Sequence, residues 1–142
     1  MGVRDLTAVA EVGWDIYKQQ KWLSDAKKEN PIRLQHYTTE KGKNGIEGSG
    51  CIDPAYSRKG SNFFTPNIYF STQDATERLA LPNECEFYIS LNMFKTADNL
   101  APITIVGERY GHKGGGLETS TSEKIYINGL IRMRSQWIPL TQ

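Results

Sequence analysis

The 142-residue sequence contains few cysteines and histidines, and no long apolar run. Cys51 and Cys85 could form one disulfide, but two free thiols is the simpler interpretation. Together with His36 and His112 they lack the spacing of a metal site, so no metal is expected. No stretch has the length and hydropathy of a membrane span, and the first residues lack the pattern of a signal peptide.

A large excess of one charge and the common phosphate-binding loops are also lacking. The net charge is +1, which does not favour non-specific binding to nucleic acid or to an anionic membrane. Neither a GxGxxG motif nor a GxxxxGK motif occurs, so neither a Rossmann dinucleotide site nor a P-loop is indicated. Hydrophobic residues make up 38% of the chain, which is enough for the core of one domain.

The apolar residues that are present indicate one long helix followed by short strands. After a cap at Asp5, helical spacing continues toward Lys28, and Asn30-Pro31 ends the helix. The later pattern predicts strands at residues 32–38, 67–71, 86–91, 103–106, 124–130, 131–134 and 137–140, and helices around Ile46 and over residues 73–81. Residues 51–66 and 107–122 are predicted to be loops, the second of them mobile. The sum is an α+β fold.

Three segments combine polar and aromatic residues beside predicted strands. LQHYTT at residues 34–39 is followed by Gly42 and by GIEGSG at residues 45–50, NIYFST at residues 67–72 precedes a helix, and SEKIYI at residues 122–127 follows the glycine-rich stretch. In this order they resemble the His-Tyr-Glu branch of the ADP-ribosyltransferase superfamily, which includes diphtheria-toxin-like and poly(ADP-ribose)-polymerase-like domains. The opening segment is most similar to small toxin domains described as HYD1-signature ADP-ribosyltransferases.

The resemblance covers residues 33–134 and implies an architecture. It implies an α+β fold with a split β-sheet core, a cleft for NAD⁺, few short helices and an N-terminal helix. Residues 1–30 would form the N-terminal helix and linker, and residues 31–142 the ADP-ribosyltransferase catalytic domain.

The resemblance also implies a catalytic core of three side chains. His36 would hydrogen-bond the adenosine ribose, Tyr69 would stack on the nicotinamide ring, and Glu123 would hydrogen-bond the 2′-hydroxyl of the other ribose. Nicotinamide leaves NAD⁺ as a neutral ring and therefore needs no general acid. One carboxylate can stabilise the oxocarbenium-like sugar that forms. NAD⁺ is thus the implied cosubstrate.

Several neighbouring residues are further candidates. Thr38 matches a ribose-binding hydroxyl of the family, and Phe70 and Ser71 flank Tyr69 as candidate NAD⁺-binding residues. Tyr37 is also a candidate NAD⁺-binding residue, although it lies on the opposite strand face from His36 and is expected to pack. Glu118 is the rival of Glu123, but no strand is predicted directly after it.

The implied function is that of a mono-ADP-ribosyltransferase toxin or effector in interbacterial competition. It would be secreted or delivered, and would modify a protein or nucleic-acid acceptor in the cytoplasm of a target cell. Thr121 occupies the position where arginine-modifying relatives carry an acidic residue, which disfavours protein arginine as acceptor. NAD⁺ glycohydrolysis and a non-catalytic module that binds NAD⁺ or ADP-ribose are the alternatives. A cognate immunity protein is an implied partner, and no membrane partner is expected.

Overall fold

The structure is a computed structural model that describes residues 16–129 and 131–142. It has a mixed α+β fold with three small antiparallel sheets, as the sequence predicts at this level. None of the helices within the described residues is long and apolar enough to cross a membrane.

The helices and strands are short and are labelled in chain order. The helices are α1 over residues 16–26, α2 (Glu40–Ser49) and α3 (Thr72–Arg78), with 3₁₀ turns at Pro54–Tyr56 and Arg58–Gly60. The strands are β1 (Ile32–Thr38), β2 (Cys51–Ile52), β3 (Asn62–Phe64), β4 (Phe87–Met93), β5 (Thr104–Ile105), β6 (Leu117–Thr121), β7 (Ile125–Tyr126) and β8 (Ile138–Pro139). The sheets have the strand orders β1-β4-β8, β2-β7 and β3-β6-β5.

The pairing of β1 with β4 separates two hydrophobic cores. Leu34 lies opposite Leu91, and both belong to the first core, which also includes Phe64. Tyr37 lies opposite Tyr88, and both belong to the second core, together with residues of α3. Because successive side chains of a strand alternate between its two faces, each face of this strand pair covers its own core.

The two three-stranded sheets meet at one pair of residues. Gln35 N donates to Thr65 O at 2.8 Å, and Thr65 N donates to Gln35 O at 2.9 Å. The Gln35 side chain is buried and satisfied, since its Nε2 donates to Thr65 O at 3.1 Å and its Oε1 accepts from Ser90 Oγ at 2.9 Å. This pair connects β1 to the segment that follows β3.

A buried carboxylate holds α1 on the rest of the domain. Asp98 is 1% exposed and accepts hydrogen bonds from Trp22 Nε1 at 2.7 Å and Phe94 N at 2.8 Å. It also accepts from both terminal nitrogens of Arg132, at 2.9 and 3.0 Å. The Arg132 guanidinium lies 4.5 Å from the centre of the Trp22 ring. One carboxylate therefore joins three separate segments of the chain.

Most of the regular elements predicted from the sequence are confirmed. The helices predicted around Ile46 and over residues 73–81 correspond to α2 and α3. Strands occur as predicted within residues 32–38, 86–91, 103–106 and 137–140. The N-terminal helix is confirmed for residues 16–26, and the rest of that prediction, including its cap at Asp5, lies outside the described residues. Cys51 and Cys85 are both buried free thiols.

Some predicted strands are absent, and two strands occur where loops were predicted. Residues 67–70 are not a strand, because the Tyr69 amide donates to the Tyr37 hydroxyl at 2.6 Å instead of pairing with another strand. Residues 131–134 form no strand, and residues 124–130 contribute only β7 among those described. β2 and β3 lie within the predicted loop at residues 51–66, and they are too short for an alternating pattern to reveal them.

The prediction that residues 107–122 form only a loop is wrong. β6 lies within it, Gly114 N donates to Glu77 O at 3.0 Å, and Gly115 N donates to Val106 O at 2.9 Å. A Cβ on Gly114 would lie only 2.4 Å from Val106 O, and the φ of Gly114 is +79°. Glycine is needed here because two backbones pack closely and the backbone is left-handed.

We expect Gly114→Ala to lower the free energy of unfolding by about 2–4 kcal/mol, because the methyl group meets a carbonyl oxygen and the positive φ disfavours alanine. Urea denaturation measures this change. The control is Gly48→Ala in α2, where a Cβ meets no atom within 4 Å. That substitution should instead raise the free energy of unfolding by about 0.5–1 kcal/mol. Equal effects of the two substitutions would contradict the packing explanation.

We expect Asp98→Ala to lower the free energy of unfolding by about 3–5 kcal/mol, because it leaves the buried Arg132 guanidinium without its counter-charge. The matched control is Arg134→Ala, which removes an Arg–Glu pair at the surface, 2.8 Å from Glu47. This pair is half exposed, so its loss should change stability by about 0–1 kcal/mol. Thermal or urea unfolding of both variants tests the difference.

Candidate functional site

A cavity of about 830 Å³ lies along β1, and small-molecule sites typically span about 300–1,000 Å³. Its walls come from β1, α2, β2, β3 and the segments at residues 53–57 and 79–85, with one residue from β6. Polar groups from His36, Thr38 and Glu118 share these walls with apolar side chains such as Ile46 and Leu81. This mixture suits a ligand that has both aromatic rings and hydroxyl groups.

His36 presents a neutral imidazole to the cavity. Its Nδ1 lies 2.9 Å from Phe63 O, and because a carbonyl oxygen only accepts, Nδ1 carries the proton. Burial lowers the pKa of His36 below its usual value, and the hydrogen bond to Phe63 opposes this shift without reversing it. The ring is therefore neutral at pH 7, and its Nε2 is an acceptor for a hydroxyl group of a ligand.

The start of α2 explains two of the residues that follow His36, namely Thr39 and Gly42. Thr39 caps this helix, and its Oγ1 accepts from Gly42 N at 3.1 Å. A Cβ on Gly42 would lie 2.0 Å from Thr38 Oγ1, so glycine allows the helix to begin directly against β1. The close packing of α2 on β1 therefore explains why Gly42 follows the segment at residues 34–39. Thr38 of that segment lies in the cavity wall.

Tyr37 and Tyr69 pack against each other. Tyr37 borders the cavity, but it is 7% exposed, and its hydroxyl donates to Tyr69 O at 3.3 Å. The two ring centres are 5.9 Å apart. Burial raises the pKa of both hydroxyls above their usual value. The packing role expected for Tyr37 is confirmed, whereas Tyr69 is not among the residues that line the cavity.

Phe70 and Ser71 also lie outside the cavity walls. Phe70 is 71% exposed, and its carbonyl accepts from Thr141 N at 2.9 Å. Ser71 is the N-cap of α3, and its Oγ accepts from Asp74 N at 3.1 Å. Ser71 therefore has a helix-capping role, which Ser commonly has.

The structure separates the two candidate glutamates. Glu123 is exposed and does not line the cavity, and the groups that fix its backbone are Asn62 Nδ2, 3.0 Å from Glu123 O, and Thr121 Oγ1, 3.1 Å from Glu123 N. Glu118 lies within β6, lines the cavity, and has a side chain that is 17% exposed. Both of its carboxylate oxygens lie 3.1 Å from NH2 of Arg109.

The strand register places the backbone of Glu118 in one row with Thr65 and Gln35, close to β1. Thr119 of β6 pairs with Phe64, so Glu118 lies beside Thr65, which is the residue bonded to Gln35. Adjacent strands are about 5 Å apart, so β1 and β6 are separated by about 10 Å across β3. The structure therefore brings together His36, Thr38 and Glu118 around one cavity.

No metal site accompanies this cavity in the described part of the chain, where no group of three or more His, Cys, Asp or Glu side chains could hold an ion. Comparison with known proteins found no match to this chain among protein-family models, curated proteins or solved structures. The chemistry of the cavity residues is therefore the basis for assigning a function.

We expect the pKa of His36 to lie below 6.5 and its neutral ring to be protonated at Nδ1. Because protonation is disfavoured in the folded state, His36 should reduce stability as pH falls through about 6.5 toward its folded pKa. NMR titration of the imidazole nitrogens measures both properties, with His36→Gln to assign the signals. The same substitution should reduce the pH dependence of unfolding in this range. A pKa above 6.5 would contradict the dominant effect of burial on this ring.

Proposed function

We propose that this chain cleaves NAD⁺ between nicotinamide and ribose and transfers the ADP-ribose to an acceptor. The observation that carries this proposal is that His36 and Glu118 share one cavity of about 830 Å³. A dinucleotide has one ribose at each end. A neutral imidazole and a carboxylate that line the same cavity can each bind one of them.

The reaction requires a correctly positioned carboxylate and no general acid. The bond to nicotinamide breaks with its electrons moving to the ring nitrogen, which leaves a neutral ring and a positively charged sugar. The carboxylate of Glu118 stabilises that charge and accepts a hydrogen bond from the 2′-hydroxyl. The Nε2 of His36 accepts a hydrogen bond from a hydroxyl of the adenosine ribose.

The remaining walls of the cavity fit the other parts of NAD⁺. Lys41, in the first turn of α2, is a cation for the diphosphate. The N-terminal end of this helix adds a favourable dipole. Leu79, Leu81 and Pro82 form an apolar wall for a base or for the nicotinamide ring. This wall takes the place of Tyr69, which packs against Tyr37 instead.

The proposal also covers the acceptor of the ADP-ribose and the biological role of the protein. The resemblance to small toxin domains supports a mono-ADP-ribosyltransferase that acts as a delivered effector on a protein or nucleic acid of a target cell. A cognate immunity protein is the corresponding partner. We assign Glu118 as the catalytic residue because it lines the cavity, and Glu123 is the alternative catalytic residue.

Nicotinamide release from NAD⁺ tests the proposal directly. We expect Glu118→Gln to lower the rate about 100-fold or more, because it removes the charge that stabilises the transition state. Glu123→Gln should stay within about 2-fold of the unchanged protein, as should the control Glu47→Gln outside the cavity. The reverse result for the two glutamates would assign catalysis to Glu123. Absence of any nicotinamide release by the unchanged protein would contradict the function.

Labelled NAD⁺ and a cell lysate identify the acceptor in the same assay. Label that protease removes indicates a protein, and label that nuclease removes indicates a nucleic acid. Rapid nicotinamide release without label on any macromolecule would favour glycohydrolysis over transfer.

A further inference from the structure

The Glu118 carboxylate, which lines the cavity, forms an ion pair with Arg109. We infer that Arg109 is a positioning residue, which fixes the orientation of the Glu118 carboxylate for NAD⁺ cleavage. This inference rests on the proposed function, and it assigns Arg109 no contact with the substrate.

The ion pair uses only one of the guanidinium nitrogens of Arg109. A single guanidinium nitrogen, NH2 of Arg109, lies 3.1 Å from each carboxylate oxygen of Glu118, and the two side chains are 25% and 17% exposed. The Nε of Arg109 is buried and has no hydrogen-bond partner among the described residues. Because both carboxylate oxygens of Glu118 bond the same nitrogen, the ion pair restricts the orientation of the carboxylate.

The backbone that carries Arg109 is itself held in a defined turn. Arg109 N donates to His112 O at 3.1 Å, and His112 N donates to Arg109 O at 2.8 Å. Between them Tyr110 and Gly111 have φ values of +53° and +77°. Two consecutive positive φ values at the centre of a hairpin are typical of a type I′ turn. A tight two-residue turn leaves the start of the Arg109 side chain little freedom.

The other side of this hairpin is anchored to α3. The carboxylate of Glu77 accepts from Lys113 N at 3.0 Å and lies 2.7 Å from His112 Nδ1. The pKa of Glu77 is lowered, first by the hydrogen bond from the Lys113 backbone and then by His112, so the anchor is charged at neutral pH. The hairpin is therefore fixed at two points, to Glu77 on α3 and to Glu118 on β6.

A fixed carboxylate matters because transition-state stabilisation depends on its position. A glutamate side chain has three rotatable bonds, and a misplacement of about 1 Å at a catalytic group can reduce the rate about 100-fold. Arg109 selects one orientation before NAD⁺ binds, so less reorganisation accompanies bond cleavage. Its loss should thus lower kcat more than it raises KM for NAD⁺.

The test compares Arg109→Gln and Arg109→Lys with Arg134→Gln, which removes the same charge from the ion pair with Glu47. Nicotinamide release is measured over a range of NAD⁺ concentrations, and folding is followed by urea denaturation. We expect Arg109→Gln to lower kcat about 10–100-fold, with KM changed by less than about 3-fold. Arg109→Lys should recover part of this loss, because its ammonium group can still bond one carboxylate oxygen. Arg134→Gln should behave like the unchanged protein.

A second comparison separates positioning from a structural role. In a Glu118→Gln background, Arg109→Gln should cause no further loss of the residual rate, because the residue that it positions is already inactive. A full additional loss in that background would show that Arg109 acts elsewhere and would overturn the inference. If Arg109→Gln fails to fold, Arg109→Lys provides the same comparison, and a folded lysine variant with unchanged kcat overturns the inference.

The two proposals fail in different ways. If Glu118→Gln abolishes nicotinamide release while Arg109→Gln leaves it unchanged, the proposed function stands and the positioning role of Arg109 is wrong. If the unchanged protein releases no nicotinamide, the proposed function itself is wrong.

Discussion

Gln35 and Thr65 exchange two backbone hydrogen bonds where the two three-stranded sheets meet, and the candidate site depends on this register. The amide of Gln35 is 2% exposed and bonds across the junction to Thr65 O. A shift of one residue would exchange the two faces of β1. His36 would then lose its hydrogen bond to Phe63 O, and Tyr37 would leave the second core. The buried glutamine therefore specifies which side chains can meet a ligand.

Two Arg–carboxylate pairs show how the surroundings determine what such a pair does. Asp98 and Arg132 are 1% and 4% exposed, and the carboxylate also accepts from a tryptophan and a backbone amide. That pair holds separate segments together. Glu118 and Arg109 are more exposed, at 17% and 25%, and Glu118 lines the cavity. The first pair accounts for stability, and the second pair is the one that we propose orients a reactive carboxylate.

The sequence predicted one half of the candidate site better than the other. His36 and Thr38 were found because they lie in an alternating strand and a continuous motif, and α2 begins directly after them. The sequence favours Glu123 over Glu118 because it predicts a strand only directly after Glu123. β6 is rich in serine and threonine, so no apolar alternation marks it as a strand. Tyr69 was placed in the site by its motif, but its backbone and ring bind Tyr37.

The sequence by itself determined the α+β class, the positions of β1, α2, α3 and β4, and the side of β1 that carries His36. Each of these follows from signals between neighbouring residues, such as strand alternation, a threonine cap at Thr39 and the stop at Asn30-Pro31. Only the tertiary structure decided which of the two candidate glutamates lines the cavity and which glycines allow close packing. Those features depend on the pairing of β3 with β6 and on contacts between distant segments, which local patterns do not specify.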